Sequence, residues 1–246
     1  MSVSQSNNYV SIIVCHYGKV DDHGELRAQN VSSSRSKMLR ETIASLVDNT
    51  DFPAELIIVD NGGNPEDSEY LMSLAKTKSI NTYIRNGENM NFGWAWNQGA
   101  KLATGKWLCF TCNDLEFEPG WLSETIRPLI KYSEKKLIAS PICTPDKDKE
   151  KFSRGTLDEY RLNALAGSNC ILVDRKDYEL IGPFSTHRIA GTHWHFKMKD
   201  MGYTVVLPPK NKAIHLGSEG GTNYNVPIEV KKTLLNDDII DFSCKQ

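Results

Sequence analysis

Asp114 and Glu116 are carboxylates one residue apart, in a polar segment that follows the apolar run Trp107 to Thr111. In an extended chain that spacing puts both side chains on one face. Two adjacent carboxylates repel, so the pattern expects a positive partner between them. A hard divalent cation shared with substrate phosphates suits such oxygen ligands. Two further polar clusters close apolar runs: Cys15-His16-Tyr17-Gly18 and Asp60-Asn61-Gly62-Gly63. In a parallel α/β sheet ligands gather beyond the carboxyl ends of the strands, so an edge shared by the three clusters would be the candidate site. Spacing alone leaves plainer roles open. An acidic pair in a loop is commonly solvated surface, and Asp60 could simply cap a turn with Asn61.

The elements that must position these groups alternate between short apolar runs and helix-patterned segments, which implies βαβ units and a mostly parallel sheet. Strands are expected at Tyr9 to Cys15, Glu55 to Asp60, Asn81 to Arg85 and Trp107 to Thr111. Helices are expected over Ser36 to Val47, Pro65 to Lys76, Phe92 to Ala103 and about Gly120 to Ser133. Gly18 to Ser34 reads as a long loop, and the charge-rich Thr144 to Tyr160 as a surface loop. Ala164 to Val173 looks like a strand broken at Gly167. Thr192 to Met201 reads as a helix with Thr192 as its N-cap. Tyr203 to Leu207 and Lys212 to His215 are short strands, and a terminal helix is expected from about Pro227.

The chain has 246 residues, enough for one large α/β domain with a substantial core. Its 29 Lys plus Arg against 31 Asp plus Glu leave a formal charge of −2, with no basic stripe for a nucleic-acid partner. The six cysteines, Cys15, Cys109, Cys112, Cys143, Cys170 and Cys244, form no compact disulfide framework and read as free thiols. Cys109 and Cys112 lie three apart on a strand and face opposite ways, against a redox or zinc pair. The start lacks a signal-peptide pattern and no run is long enough to span a membrane. The expected location is cytoplasmic, with peripheral membrane attachment left open.

At this point several segments share the order of one family. Asn113 to Leu122 (NDLEFEPGWL) resembles the metal-binding segment of family 2 glycosyltransferases, an Asp-x-Asp-like motif followed by Pro-Gly-Trp. Glu88 to Phe110 (ENMNFGWAWNQGAKLATGKWLCF) is similar to the family's Asn- and Gly-rich stretch. YVSIIVCHYG and ELIIVDNGG resemble its donor-binding segments, Gly167 to Phe184 the strand and helix before its acceptor site, and Lys197 to Gly217 its closing section. The resemblance implies a GT-A fold: a single Rossmann-like α/β domain over residues 1–246. Residues 9–115 would form the donor half, 116–225 the acceptor half, and 226–246 a C-terminal helix or tail.

It further implies a metal-dependent, inverting transfer of a sugar from a nucleotide-diphosphate sugar to an acceptor hydroxyl on a glycan, a lipid-linked sugar or a small molecule. Asp60 would accept from the donor's base, flanked by His16 and Tyr17, with Asn61, Asn89, Asn97 and Asn113 in the donor cradle. Asn97 could equally brace the donor loop. Asp114, Glu116 and His215 would hold the cation, and an imidazole ligand makes Mn²⁺ the better fit than Mg²⁺. Trp94, Trp96 and Trp107 would be core or sugar-facing platforms.

One departure stands out. The family's acidic base near the acceptor is replaced by Gly191-Thr192-His193-Trp194-His195. His193 falls where that base is expected, and a neutral imidazole can accept a proton. His195 lies about 200° further round the helix, so both histidines do not face one ligand. Asp158, Glu219, a structural His193 or a retaining mechanism are the alternatives, and Trp194 would stack on the acceptor or pack in the core. A nucleotidyltransferase and a non-catalytic nucleotide-sugar binder are the rival functions. The first lacks its Gly-rich basic loop after strand one, and the second would explain the missing acid.

Overall fold

The computed structural model describes residues 8–17, 28–142, 153–163, 169–186 and 190–216. All of them fall in a compact unit ending at Leu216. Gly18, Cys143, Gly167, Glu219, Cys244 and the helix expected from Pro227 lie outside the described residues.

Four parallel strands form the first half of a nine-stranded sheet: β3 (Thr82–Asn86), β2 (Ala54–Asn61), β1 (Val10–His16) and β4 (Trp107–Cys112). Beyond β4 the sheet turns mixed. Its order continues through β9 (Cys170–Asp174), β6 (Leu137–Ala139), β10 (Thr204–Leu207), β8 (Tyr160–Asn163) and β7 (Ser153–Leu157). β9 runs antiparallel to β4 and to β6, while β10 is parallel to β6. A separate two-stranded ribbon pairs β5 (Leu115–Phe117) with β11 (Ala213–His215).

The apolar runs are strands because the sheet is covered on both faces. In β1, Ile12 and Val14 pack in one core with α1 (Ala28–Asn49), α2 (Pro65–Lys76) and α4 (Trp121–Lys131). Ile13 and Cys15 pack in the other with α3 (Phe92–Leu102), α5 (Arg175–Ile181) and α6 (Ala190–Asp200). Trp96, Phe110, Phe184 and Trp194 form the aromatic centre of that second core. Trp96 and Trp107 are therefore core residues, Trp194 packs there too at 1% exposure, and Trp94 stays 41% exposed.

Four expectations are corrected. The loop expected to Ser34 is helical from Ala28, because an established helix extends at one hydrogen bond per residue even through a polar stretch. The polar segment after β4 contains β5, whose Leu115 and Phe117 are buried. The end of the expected surface loop is the β7–β8 hairpin, turned at Asp158 with φ 52°. α6 includes Ala190 and Gly191, so Thr192 lies inside the helix and does not cap it. Cys15, Cys109, Cys112 and Cys170 are free thiols, with Cys109 Sγ 3.6 Å from Cys170 Sγ.

α3 approaches the segment before α6 through Gly93. A Cβ there would stand 2.1 Å from the Ser185 carbonyl oxygen and 2.7 Å from Ala190 Cβ. Both obstacles leave little room to yield. Gly93→Ala is expected to destabilise the protein by about 1–3 kcal/mol, the ordinary cost of overpacking, read as a lower denaturant midpoint. An unchanged midpoint would contradict this account of the helix contact.

Candidate active site

Register places the polar clusters on one edge. His16 pairs with Asp60, Asp60 with Arg85, Asn61 with Asn86, and Cys15 with Cys112, at the carboxyl ends of the four parallel strands. Asn113 and Asp114 follow directly in the bend between β4 and β5.

α1 holds the ribbon that carries the acidic motif. Thr42 Oγ1 accepts from the Leu115 N–H at 3.1 Å, Ser45 Oγ accepts from the Phe117 N–H at 3.1 Å, and Asn49 Nδ2 donates to the Phe117 carbonyl at 2.7 Å. Positions 42, 45 and 49 share a helix face, so this polar stripe satisfies one edge of β5 while β11 pairs with the other.

β11 delivers His215. Its Nε2 lies 3.2 Å from Asp114 Oδ2. Asp114 Oδ1 is buried, and among the described residues nothing hydrogen-bonds to it. A buried carboxylate oxygen without a donor is costly, and a cation ligated there would relieve it. Glu116 is not part of this pair. It stands in register with the half-exposed Ile214 on the outer face, whereas His215 is in register with buried Leu115. Cross-strand partners share a face and neighbours along a strand alternate. Asp114 precedes the strand in a bend, so the two-residue period does not reach back to it. Among the described residues no group of three His, Cys, Asp or Glu is gathered as a ready cage.

Asp60 is buried and held by the protein itself. Its Oδ1 accepts from the Gly63 N–H at 2.7 Å, and its Oδ2 from Ser68 Oγ at 2.5 Å and Tyr83 OH at 2.9 Å. Burial and the Asp60 carboxylate push the Tyr83 phenol up to about 12, so it remains a donor. The geometry shows Asp60 capping the turn. Gly62, at φ +79°, lets the turn abut the backbone of Glu88, which a Cβ would meet at 2.6 Å.

The asparagines divide. Asn61 Nδ2 donates to Asn89 Oδ1 at 2.9 Å, and Asn61 Oδ1 accepts from Asn86 Nδ2 and from the Met90 N–H. Asn86 and Gln98 exchange a reciprocal amide pair. Together these bonds fix the loop over residues 87–91 above the edge. Asn97 braces: its Nδ2 donates to the Phe184 carbonyl, and its Oδ1 accepts from the Phe184 N–H and Tyr178 OH.

His16 is buried. Nε2 lies 3.1 Å from Asp67 Oδ2 and Nδ1 lies 2.9 Å from Asn113 Nδ2. Asp67, which the sequence reading missed, also accepts from Ser36 Oγ, Asn64 Nδ2 and Arg40. Its signal was the N-cap pattern Asn64-Pro65-Glu66-Asp67. Tyr17 follows His16 at the edge, half-buried. On α6 Trp194 and His195 are buried while His193 is half-buried, so His193 is the histidine of the two nearer solvent. Asp158 is bound by Lys131 and Tyr132 at the β7–β8 turn, beyond β9, β6 and β10 from β4, which removes it as a base for this edge.

The fold has counterparts among solved structures and is the GT-A glycosyltransferase fold. Mannosyltransferase PcManGT from Pyrobaculum calidifontis, solved with GDP-Man and Mn²⁺, superposes with a TM-score of 0.66 at 17% identity, over 88% of this chain and 60% of that one. GalNAc-T7, solved with UDP, GalNAc and Mn²⁺, gives 0.61 at 14% identity, over 84% of this chain and 43% of that one. Residues 31–185, more than half the chain, match glycosyl transferase family 2, and the chain belongs to that family. A Drosophila melanogaster protein named as polypeptide N-acetylgalactosaminyltransferase 13 is 31% identical over 131 residues, 46% of this chain and 22% of that protein. The chain thus spans less than two thirds of each of these three relatives. Among the described residues no helix is long and apolar enough to cross a membrane.

Burial would raise the Asp67 carboxyl, but hydrogen bonds from His16 and Ser36 and the nearby Arg40 charge hold it below the usual value. A lowered folded-state value adds stability above the ordinary Asp value of about 3.9 and loses it as pH falls through the folded value. Asp67→Asn is expected to melt below the parent at neutral pH, with the gap closing as pH falls from about 5 to about 2. A gap that stays constant in a pH series of melting curves would show that Asp67 titrates normally.

Proposed function

We propose that the protein is a metal-dependent glycosyltransferase that moves a sugar from a nucleotide-diphosphate sugar to an acceptor hydroxyl with inversion. The observation that carries this reading is the Asp114–His215 pair with its unmet buried carboxylate oxygen, at the carboxyl edge of a family 2 sheet. These two residues would hold the cation. Their mixed oxygen and imidazole character favours Mn²⁺ over Mg²⁺, and both solved neighbours contain Mn²⁺. When bound, the ion would act as a Lewis acid toward the departing nucleoside diphosphate.

The donor would lie on residues 9–115, against Tyr17, Asn113 and the loop that Asn61 and Asn89 fix. The acceptor, a glycan, a lipid-linked sugar or a small molecule, would lie on residues 116–225. His193 would take the proton from its hydroxyl. Support for that role is the half-buried position of His193 in the first turn of α6, where the helix N-terminus disfavours imidazolium and so keeps the ring basic.

UDP- and GDP-linked sugars should raise the melting temperature of the protein when Mn²⁺ is present, since a ligand bound to the native state alone stabilises it. Asp114→Ala should remove the Mn²⁺-dependent part of that shift and lower turnover by about 10²-fold or more. His193→Ala should lower turnover by about 10²–10⁴-fold while sparing donor binding. Glu116→Gln should change either by no more than about threefold, since Glu116 stands apart from the pair. An Asp114→Ala protein with the parent's Mn²⁺ response would end the metal assignment, and full turnover in His193→Ala would end the base assignment.

A further inference from the structure

His16 and Asp67 form a buried pair that is hydrogen-bonded to the candidate site through Asn113. Both side chains have 0% exposure. Asp67 Oδ2 receives Ser36 Oγ at 2.9 Å and Asn64 Nδ2 at 2.8 Å in addition to His16, and Arg40 lies 3.3 Å from Oδ1. An ionised carboxylate only accepts, so His16 Nε2 must carry the proton that points at it. Asn113 Nδ2 lies 2.9 Å from Nδ1, and an amide nitrogen only donates, so Nδ1 meets it with its lone pair. The amide oxygen is therefore the atom of Asn113 that His16 leaves for another partner, in the bend that continues to Asp114.

We infer that His16 is a positioning residue: Asp67 fixes its tautomer, and the tautomer fixes Asn113 with its carboxamide oxygen offered to the nucleotide sugar as a hydrogen-bond acceptor. The inference rests on the donor site proposed above and deepens it. It also reverses the role expected for His16, which acts on the ligand through Asn113 and does not contact it. Asp67 belongs to the same device, since among the described residues it is the anion hydrogen-bonded to His16. The device joins α1 through Ser36 and Arg40, α2 through Asn64 and Asp67, β1 through His16, and the β4–β5 bend through Asn113.

Two measurements test it. The first is the ¹⁵N spectrum of the full-length protein with labelled histidine, the His16 resonances being assigned by their loss in His16→Gln. The expected pattern is a neutral ring with Nε2 protonated and Nδ1 bare. A ring protonated at Nδ1, or at both nitrogens, overturns the proposal and leaves the metal and base assignments standing.

The second is a double-mutant cycle on binding of UDP and GDP in the presence of Mn²⁺. His16→Phe and Asn113→Ala should each weaken the diphosphate that binds the parent by about tenfold, and the double variant by about tenfold as well, because the two residues act as one unit. His16→Gln keeps one donor and one acceptor and should stay within about threefold of the parent. Multiplying losses of about a hundredfold in the double variant, or a His16→Phe protein that binds as the parent does, overturns the inference. If His16→Phe fails to fold, the spectrum and the His16→Gln affinity decide alone. A parent protein that binds neither diphosphate overturns the donor-site reading itself, and the ligand role of Asn113 with it.

Discussion

Asp67 is a carboxylate with no solvent exposure, and the carboxyl edge of the sheet is organised around keeping its charge there. An isolated buried anion costs several kcal/mol after relaxation, and only a full set of donors with a nearby cation offsets it. Three hydrogen bonds reach Oδ2 and the Arg40 guanidinium reaches Oδ1. The donors come from β1, α1 and the cap of α2, so satisfying one charge sets the mutual placement of α1, α2 and β1. Arg40 itself is steadied by Glu66 at 2.8 Å and by the Tyr70 ring at 4.4 Å. Disturbing any member leaves the charge less compensated, which couples distant parts of the edge.

The same economy recurs around the site. Asp60, Asn61, Asn86, Asn89, Asn97 and Gln98 would each be costly to bury singly, yet each finds partners among the others or on nearby backbone. Such networks are worth having when complete, because the low dielectric strengthens every bond and punishes every vacancy. The consequence is a preorganised edge whose polar residues mostly face one another. Against that background the unmet Oδ1 of Asp114 stands out, and its neighbour is an imidazole delivered by a different strand.

The first half of the fold was legible because β1, β2 and β4 are buried on both faces. Val10 to Cys15 and Leu56 to Val59 are nearly continuous apolar runs, and each is followed by a segment of helical period. β6, only Leu137 to Ala139, was too short to rise above its surroundings. The β7–β8 hairpin is charged and exposed over much of its length, so burial gave no pattern to read. The stripe Thr42, Ser45 and Asn49 was visible as helical spacing, but its meaning depended on a partner strand that no local signal announces. At the site, sequence located the edge and the Asp114–His215 association followed from the family resemblance. Its period-two argument put Glu116 on one face with Asp114, and that argument does not reach a residue in a bend. Nor did it find the protein partners of Asp60 and His16, since a chemically capable side chain at a strand end looks the same whether it turns outward or inward.

That last ambiguity has a physical resolution. A group at the carboxyl end of a strand is available to a ligand only if the fold leaves its hydrogen-bonding capacity unfilled, and the turn that follows decides this. After β2 the turn Asn61-Gly62-Gly63 brings the Gly63 N–H back onto Asp60, while α2 brings Ser68. After β1 the same helix brings Asp67 onto His16. After β4 no helix follows at once: the chain makes a bend and a three-residue strand, and the backbone of that strand is satisfied by α1 and β11. Asp114 therefore keeps a carboxylate oxygen that no part of the described fold fills. The site falls at β4 because the bend that follows it leaves that oxygen open.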